Sequence, residues 1–204
     1  MDALEQLRAA DPVLAALIAV HGPLDEEARR RGRPADAYGA LVRSIVGQQL
    51  STKAARAIYE RLTGLFDGRT PSPHELLGAD PETVRAVGLS RPKVGYLRDL
   101  AARVLDGGLE LERLPELSDK DVSAQLVAVK GLGQWTADMF LLFHLGRPDV
   151  LPVGDLGVRR AAERAYGLPG LPSAAELTTI AEPWRPHRSL ASLYLWRSLD
   201  NEPT

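Results

Sequence analysis

Apolar residues recur along this chain at helical intervals. Leu41 with Ile45, Val42 with Val46, the series Ala54, Ile58 and Leu62, and later Met139 with Phe143 and Phe140 with His144 each fall on one side of a 3.6-residue repeat. Alternating apolar and polar runs bounded by Asn-Gly turns are missing, and Ala, Leu, Arg and Glu dominate, so the pattern predicts an all-α fold. Capping signals divide it into about nine to eleven short helices. Ser118-Asp119-Lys120-Asp121 reads as a capping box opening a helix through Ala128, and Ser173-Ala174-Ala175-Glu176 as another opening a helix through Ala181. Ser72-Pro73 and Asp80-Pro81 each place an N-cap before a proline at the first helical position. Gly88, Gly107, Gly146 and Gly167 stand where helices should stop. The segment 64–73 is the loosest connection, but no long linker or repeat breaks the chain. The expectation is a single domain over 1–204, a two-lobed helical bundle with a central cleft.

Composition narrows the chemistry. With 204 residues, 45% of them hydrophobic, the chain can bury a sizeable core. It has no cysteine, which removes disulfides, thiolate-held zinc, iron-sulfur clusters and cysteine nucleophiles. Its 25 basic and 27 acidic residues nearly cancel, so any case for nucleic acid must come from local motifs rather than a basic surface. No stretch approaches the roughly 18 apolar residues of a membrane span, and the first residues are mixed and acidic. A cytoplasmic protein without a membrane partner is expected.

The densest motif lies in 126–137, where Gly131-Leu132-Gly133 separates two helical segments. Such a turn either presents backbone N–H groups at a helix start, where a phosphate is attracted, or is an ordinary αα-hairpin. Leu132 should point inward. Lys130, Gly131, Gly133, Gln134 and Thr136 are the candidate phosphate-binding residues here, with Lys130 reading equally as a phosphate contact or a solvated lysine. A helix over 134–145 is followed by a Gly/Pro-rich loop, 146–155, that delivers Asp155 to the start of a further helix over 156–166. Asp155 is either that helix's N-cap, worth about 1 kcal/mol, or a carboxylate carried to a reactive site. Asp121 reads as a cap, and Asp138 and Asp149 as solvated.

Hairpin, helix, loop and aspartate in this order resemble the helix-hairpin-helix DNA glycosylase superfamily, most closely its 3-methyladenine DNA glycosylase II type. The resemblance runs over 37–199: segment 38–51 is similar to the N-terminal helix and the turn that enters DNA, 87–93 to the middle loop, and 181–189 with Leu195-Trp196 to the C-terminal helices. It implies that Asp155 is the catalytic carboxylate. It also implies a base pocket from Trp135, Trp196, Met139, Leu156 and Tyr38, the alternative being that the two tryptophans are core residues. The turn Gln48-Gln49-Leu50-Ser51 would contact DNA, with Gln49 aligned as the wedge and Leu50 either the apolar alternative or a core residue. Strand-cleaving members carry a nucleophilic lysine two positions after the second hairpin glycine; Trp135 stands there, so water must attack and the strand should stay intact.

The resemblance further implies a monomer acting on double-stranded DNA with alkylated bases. No cofactor is required, although a monovalent cation, Na+ or K+, would be held by the backbone carbonyls of Val127, Val129 and Leu132. Two departures change the expectation. The segment before Tyr38 is too short for the N-terminal α/β lobe of larger members, and Met139 and Leu156 replace aromatic residues, which widens the pocket. The candidate lesions then extend from 3-methyladenine and 7-methylguanine to 1-methyladenine, 3-methylcytosine and ethenoadenine. The alternative is a non-catalytic helix-hairpin-helix module that grips DNA, for which Asp155 would be a cap alone.

Overall fold

The computed structural model describes residues 2–24 and 34–200, the side chain of Asp200 excepted. Among these residues the chain forms twelve α-helices and two short 3-10 turns, and no strand. In chain order they are α1 (Ala3–Ala10), α2 (Pro12–His21), α3 (Ala37–Gly47), α4 (Thr52–Gly64), α5 (Pro73–Gly78), α6 (Pro81–Ala86), α7 (Arg91–Leu105), α8 (Asp119–Val127), α9 (Gln134–Phe143), α10 (Leu156–Ala165), α11 (Ala174–Ile180) and α12 (Arg188–Asp200). The count slightly exceeds the nine to eleven expected; α5 and α6 are the separate six-residue helices that the Ser72-Pro73 and Asp80-Pro81 caps predict, each with its own cap and proline.

Caps fix the helix starts. Asp2 with Glu5, Ser72 with Glu75, and Ser173 with Glu176 form reciprocal capping boxes. Ser118 caps α8 without completing the box expected there. Its Oγ accepts from the Asp121 amide at 3.2 Å and donates to the Asp121 carboxylate at 2.6 Å. Aspartate is one methylene shorter than glutamate, so this carboxylate meets the serine hydroxyl instead of the N-cap amide.

The chain divides into two compact units, Met1–Arg31 with Leu141–Thr204, and Gly32–Phe140, with the division falling inside α9. The first unit buries Leu7, Leu14 and Ile18 of α1 and α2 against Val158 and Ala162 of α10, Trp184, and Tyr194 of α12. At its centre Asp11 is both cap and acceptor. Its Oδ1 receives the amides of Val13 and Leu14, and its Oδ2 receives the Tyr166 hydroxyl at 2.6 Å and the Trp184 indole N–H at 2.8 Å. Burial in this network, and the Asp11 carboxylate beside it, raise the Tyr166 phenol well above its ordinary pKa.

In the second unit α7 is the central strut, packed against α3, α5 and α6. Leu97, Leu100 and Ala101 of α7 are buried, as are Leu41, Val42, Ile45 and Val46 of α3, the residues whose helical spacing marked them as one face.

Candidate active site and nucleic-acid interface

The loop 146–155 leaves α9 and is stapled to α12 before it reaches Asp155. Ser189, nearly fully buried, accepts from the Val150 amide at 2.9 Å and donates to the Arg147 carbonyl at 2.6 Å, while its own amide bonds the Pro148 carbonyl. Asp149 is not solvated, as its sequence position suggested. Arg188 grips both of its carboxylate oxygens, at 2.7 and 2.9 Å, and Arg185 adds a third contact at 2.7 Å. Burial pushes the Asp149 carboxyl up, and these hydrogen bonds more than reverse it, holding it below the usual range. The loop is thereby a fixed arm.

At the end of that arm Asp155 has the extended backbone of an N-cap. Its Oδ1 accepts from the Val158 amide and from the Trp196 indole N–H, both at 2.8 Å. Trp196 stacks on Phe143, with ring centroids 5.7 Å apart and planes inclined by 19°, and packs along the core of its unit. A Cβ at Gly157 would lie 3.0 Å from both Asp155 Oδ1 and Trp196 Nε1, so a glycine at this position leaves room for the bond. Both readings of Asp155 are therefore compatible: it caps α10 while its half-buried carboxylate receives two donors on one oxygen. Leu156, beside it, is 46% exposed.

The other expected pocket residues, Tyr38, Trp135 and Met139, lie in the second unit. Trp135 is 43% exposed and so is not a core residue. Met139 is half-buried one turn along the same helix. Tyr38 is buried, and its hydroxyl has no hydrogen-bond partner among the described residues. Burial and the neighbouring Asp36 carboxylate hold this phenol well above its ordinary pKa.

The hairpin joins α8 to α9 through exposed Lys130, Gly131 and Gly133, with Leu132 buried beneath them. The Gly131 backbone has φ +82°, and its missing Cβ would collide with the Tyr96 ring. At Gly133 a Cβ would meet open space. The Gly133 carbonyl accepts the first helical bond of α9, from Ala137, which places Gly133 at the helix start. Two side chains expected on DNA are turned elsewhere. Thr136 is buried, and the Gln134 amide donates to Asp138 Oδ1 at 2.7 Å, one helical turn along. Asp138 is itself buried rather than solvated, which pushes its carboxyl up.

The turn between α3 and α4 presents Gln49 and Leu50, both exposed, and Gln49 takes the left-handed conformation at φ +58°. Ser51 caps α4 by accepting the Ala54 amide. The Gln48 side chain is not free for DNA: its Nε2 donates to the Gly131 carbonyl at 2.7 Å.

The pattern of the family described as HhH-GPD superfamily base excision DNA repair protein matches residues 42–186, which contain the turn, the hairpin and Asp155. The chain belongs to the HhH-GPD superfamily. Within it the chain is related to the 3-methyladenine DNA glycosylases. A DNA-3-methyladenine glycosidase from Bacillus halodurans is 35% identical and superposes with a TM-score of 0.86 over 98% of this chain and 90% of its own. The 3-methyladenine DNA glycosylase of Schizosaccharomyces pombe, solved with abasic DNA, is 31% identical with a TM-score of 0.86 over 98% and 97%. A putative DNA-3-methyladenine glycosylase of Bacillus subtilis is 31% identical over 80% of this chain, which spans 59% of that relative's length.

Several HhH-GPD residues with roles in this geometry carried no signal strong enough to assign them. Phe143 read only as a helix-face residue. Gly157 stands in the first turn of a helix against its propensity, a sign of close approach that the sequence did offer. Lys93, Tyr96 and Asp99 act across the fold and are invisible to local pattern.

Proposed function

We propose that this chain is a monofunctional DNA glycosylase that flips alkylated bases from duplex DNA and hydrolyses their N-glycosidic bond, leaving an abasic site. The observation that carries this reading is Asp155, a carboxylate on a stapled arm whose Oδ1 is fixed by the Val158 amide and the Trp196 indole. As the bond from C1′ to the base breaks, positive charge grows on the sugar, and a preorganised carboxylate stabilises it. Water supplies the oxygen that bonds C1′, and its proton passes to the Asp155 carboxylate or to solvent. A 3-methyladenine or 7-methylguanine nucleoside is cationic, so the base leaves neutral and needs no general acid. The exposed face of Trp135 suits such a base, to which an indole contributes up to about 2 kcal/mol. Met139 and Leu156 in place of larger rings favour a wide lesion range that includes 1-methyladenine and 3-methylcytosine.

In this reading the amides after Gly133 take one phosphate and the Gln49–Leu50 turn fills the gap left by the base. Among the described residues no group of His, Cys, Asp or Glu side chains is arranged to hold a metal ion. The backbone carbonyls of Val127, Val129 and Leu132 would hold a monovalent cation, since uncharged oxygens suit Na+ or K+ better than a divalent metal; the Val129 carbonyl also accepts the Leu132 amide at 3.1 Å. Bound there, the cation would add positive charge beside the phosphate. The protein works as a monomer on chromosomal DNA in the cytoplasm.

The test is product analysis on methylated duplex DNA. Mass spectrometry should detect free 3-methyladenine and 7-methylguanine, the strands should remain intact, and borohydride should trap no protein-DNA adduct. Tight DNA binding without base release would establish the non-catalytic module instead, and a trapped adduct would establish a lyase.

A further inference from the structure

The turn after α3 and the hairpin after α8 are distant in sequence, yet both are fastened to one face of α7. Lys93 Nζ donates to the carbonyls of Val46 at 2.8 Å and Gln48 at 2.7 Å, one in the last turn of α3 and one in the turn that follows. An ammonium at this end of a helix satisfies carbonyls that lack helical donors and opposes the negative end of the dipole. One turn further along α7, the Tyr96 ring occupies the space that a Cβ of Gly131 would need. A further turn on, Asp99 accepts the Lys130 amide at 3.0 Å and the Arg103 guanidinium at 2.9 Å. Gln48 closes the circuit by bonding the Gly131 carbonyl across 83 positions of sequence.

We propose that Lys93 is a positioning residue for base flipping: it locks the Gln49–Leu50 turn, through the carbonyls of Val46 and Gln48, at a fixed distance from the hairpin that holds the phosphate. The inference rests on the reading above, in which that turn fills the gap and the hairpin grips the backbone. Three features support it. Gln49 sits in a left-handed conformation that a non-glycine residue adopts only when its surroundings hold it. Lys93 is half-buried, and its ammonium is spent on these two carbonyls, at 2.8 and 2.7 Å, although burial draws its pKa down. The Gln48 side chain ties the same turn directly to the hairpin.

A turn held in this way matters only when it must enter the helix. Replacing Lys93 should therefore weaken binding to DNA with a gap in the base stack and spare binding to intact duplex. The experiment uses the full chain and a duplex carrying a tetrahydrofuran abasic analogue beside 2-aminopurine, whose fluorescence rises when the stack is opened. No base is released from this DNA, so the readout is independent of Asp155 chemistry. Lys93→Met should lose roughly 10-fold in affinity for the analogue, the scale of losing hydrogen bonds from a charged donor, and most of the fluorescence rise at saturating protein. Affinity for undamaged duplex should stay within about twofold. Lys93→Arg, which can still donate to both carbonyls, should recover most of the signal. Lys93→Gln keeps a polar side chain and should fall between them, and it serves if the methionine variant does not fold. Equal losses on both DNAs, or an unchanged fluorescence rise in a folded Lys93→Gln protein, would overturn the proposal while leaving the glycosylase reading intact. Wild-type protein that does not distinguish the analogue from undamaged DNA would overturn both.

Discussion

The indole N–H of Trp196 donates to Asp155 Oδ1 at 2.8 Å, the same oxygen that receives the Val158 amide. One carboxylate oxygen thus carries both the helix cap and the aromatic donor, and the direction of the carboxylate is set before substrate arrives. A preorganised charge stabilises a transition state more than one that must be turned into place.

Trp196→Phe isolates this bond, because phenylalanine keeps a ring to stack on Phe143 and to pack on the core but has no donor. A hydrogen bond to a charged group is worth about 1.5–3 kcal/mol, so single-turnover base release should fall about 10-fold to 100-fold. Thermal melting should move far less than that loss implies. Unchanged release by the variant would show that the indole serves packing alone.

The two hairpin glycines should respond differently. Gly131→Ala forces a Cβ into the Tyr96 ring at a positive φ, so it should destabilise the protein as well as weaken DNA binding. A Cβ at Gly133 meets no neighbour, so Gly133→Val should destabilise the protein less than Gly131→Ala, and its binding to all duplexes should weaken alike because the added bulk stands where the phosphate approaches. Fluorescence anisotropy with damaged and undamaged duplexes, paired with thermal melts, separates the two. A selective loss for damaged DNA in Gly133→Val would remove the hairpin's role as a general phosphate grip.

Burial raises the Asp138 carboxyl, so the folded protein keeps that proton to higher pH than the unfolded chain does. Across that window the native state binds more protons, and stability falls as pH rises. Asp138→Asn removes the charge and keeps an oxygen to accept from Gln134. Its melting temperature at pH 7 should exceed wild type by about 2–4 °C for each 1 kcal/mol relieved, and the difference should vanish in acid, where both side chains are neutral. A variant less stable than wild type at pH 7 would show that the carboxylate carries an interaction worth more than its burial.

How much of this was legible in the sequence depends on the range of the forces involved. Caps at Ser72, Asp80 and Ser173 and the buried face of α3 were readable because cap and helix periodicity are local. The hairpin and the approach to Asp155 were readable because glycine and proline punctuate a short segment. Asp138 and Asp149 were misjudged as solvated for the opposite reason. The burial of one and the Arg188 clamp on the other are set by residues far along the chain or by packing around a helix. Gln134 and Thr136 follow a turn suited to phosphate, but helical geometry directs one side chain back to Asp138 and buries the other. Lys93 lay inside a recognisable segment, yet its two carbonyl partners appear only once α7 and α3 are packed together.

The central claim is that Asp155 acts through its charge, and Asp155→Asn tests it most directly. Asparagine retains an Oδ1 that can accept from both Val158 and Trp196, so cap, arm and aromatic contact survive while the negative charge is lost. The measurement is single-turnover release of 7-methylguanine by both proteins at saturating enzyme, with thermal melts and undamaged-DNA affinity as controls. Release should fall by at least about 100-fold with both controls nearly unchanged. Release near the wild-type rate by a folded Asp155→Asn protein would contradict it and leave Asp155 a helix cap.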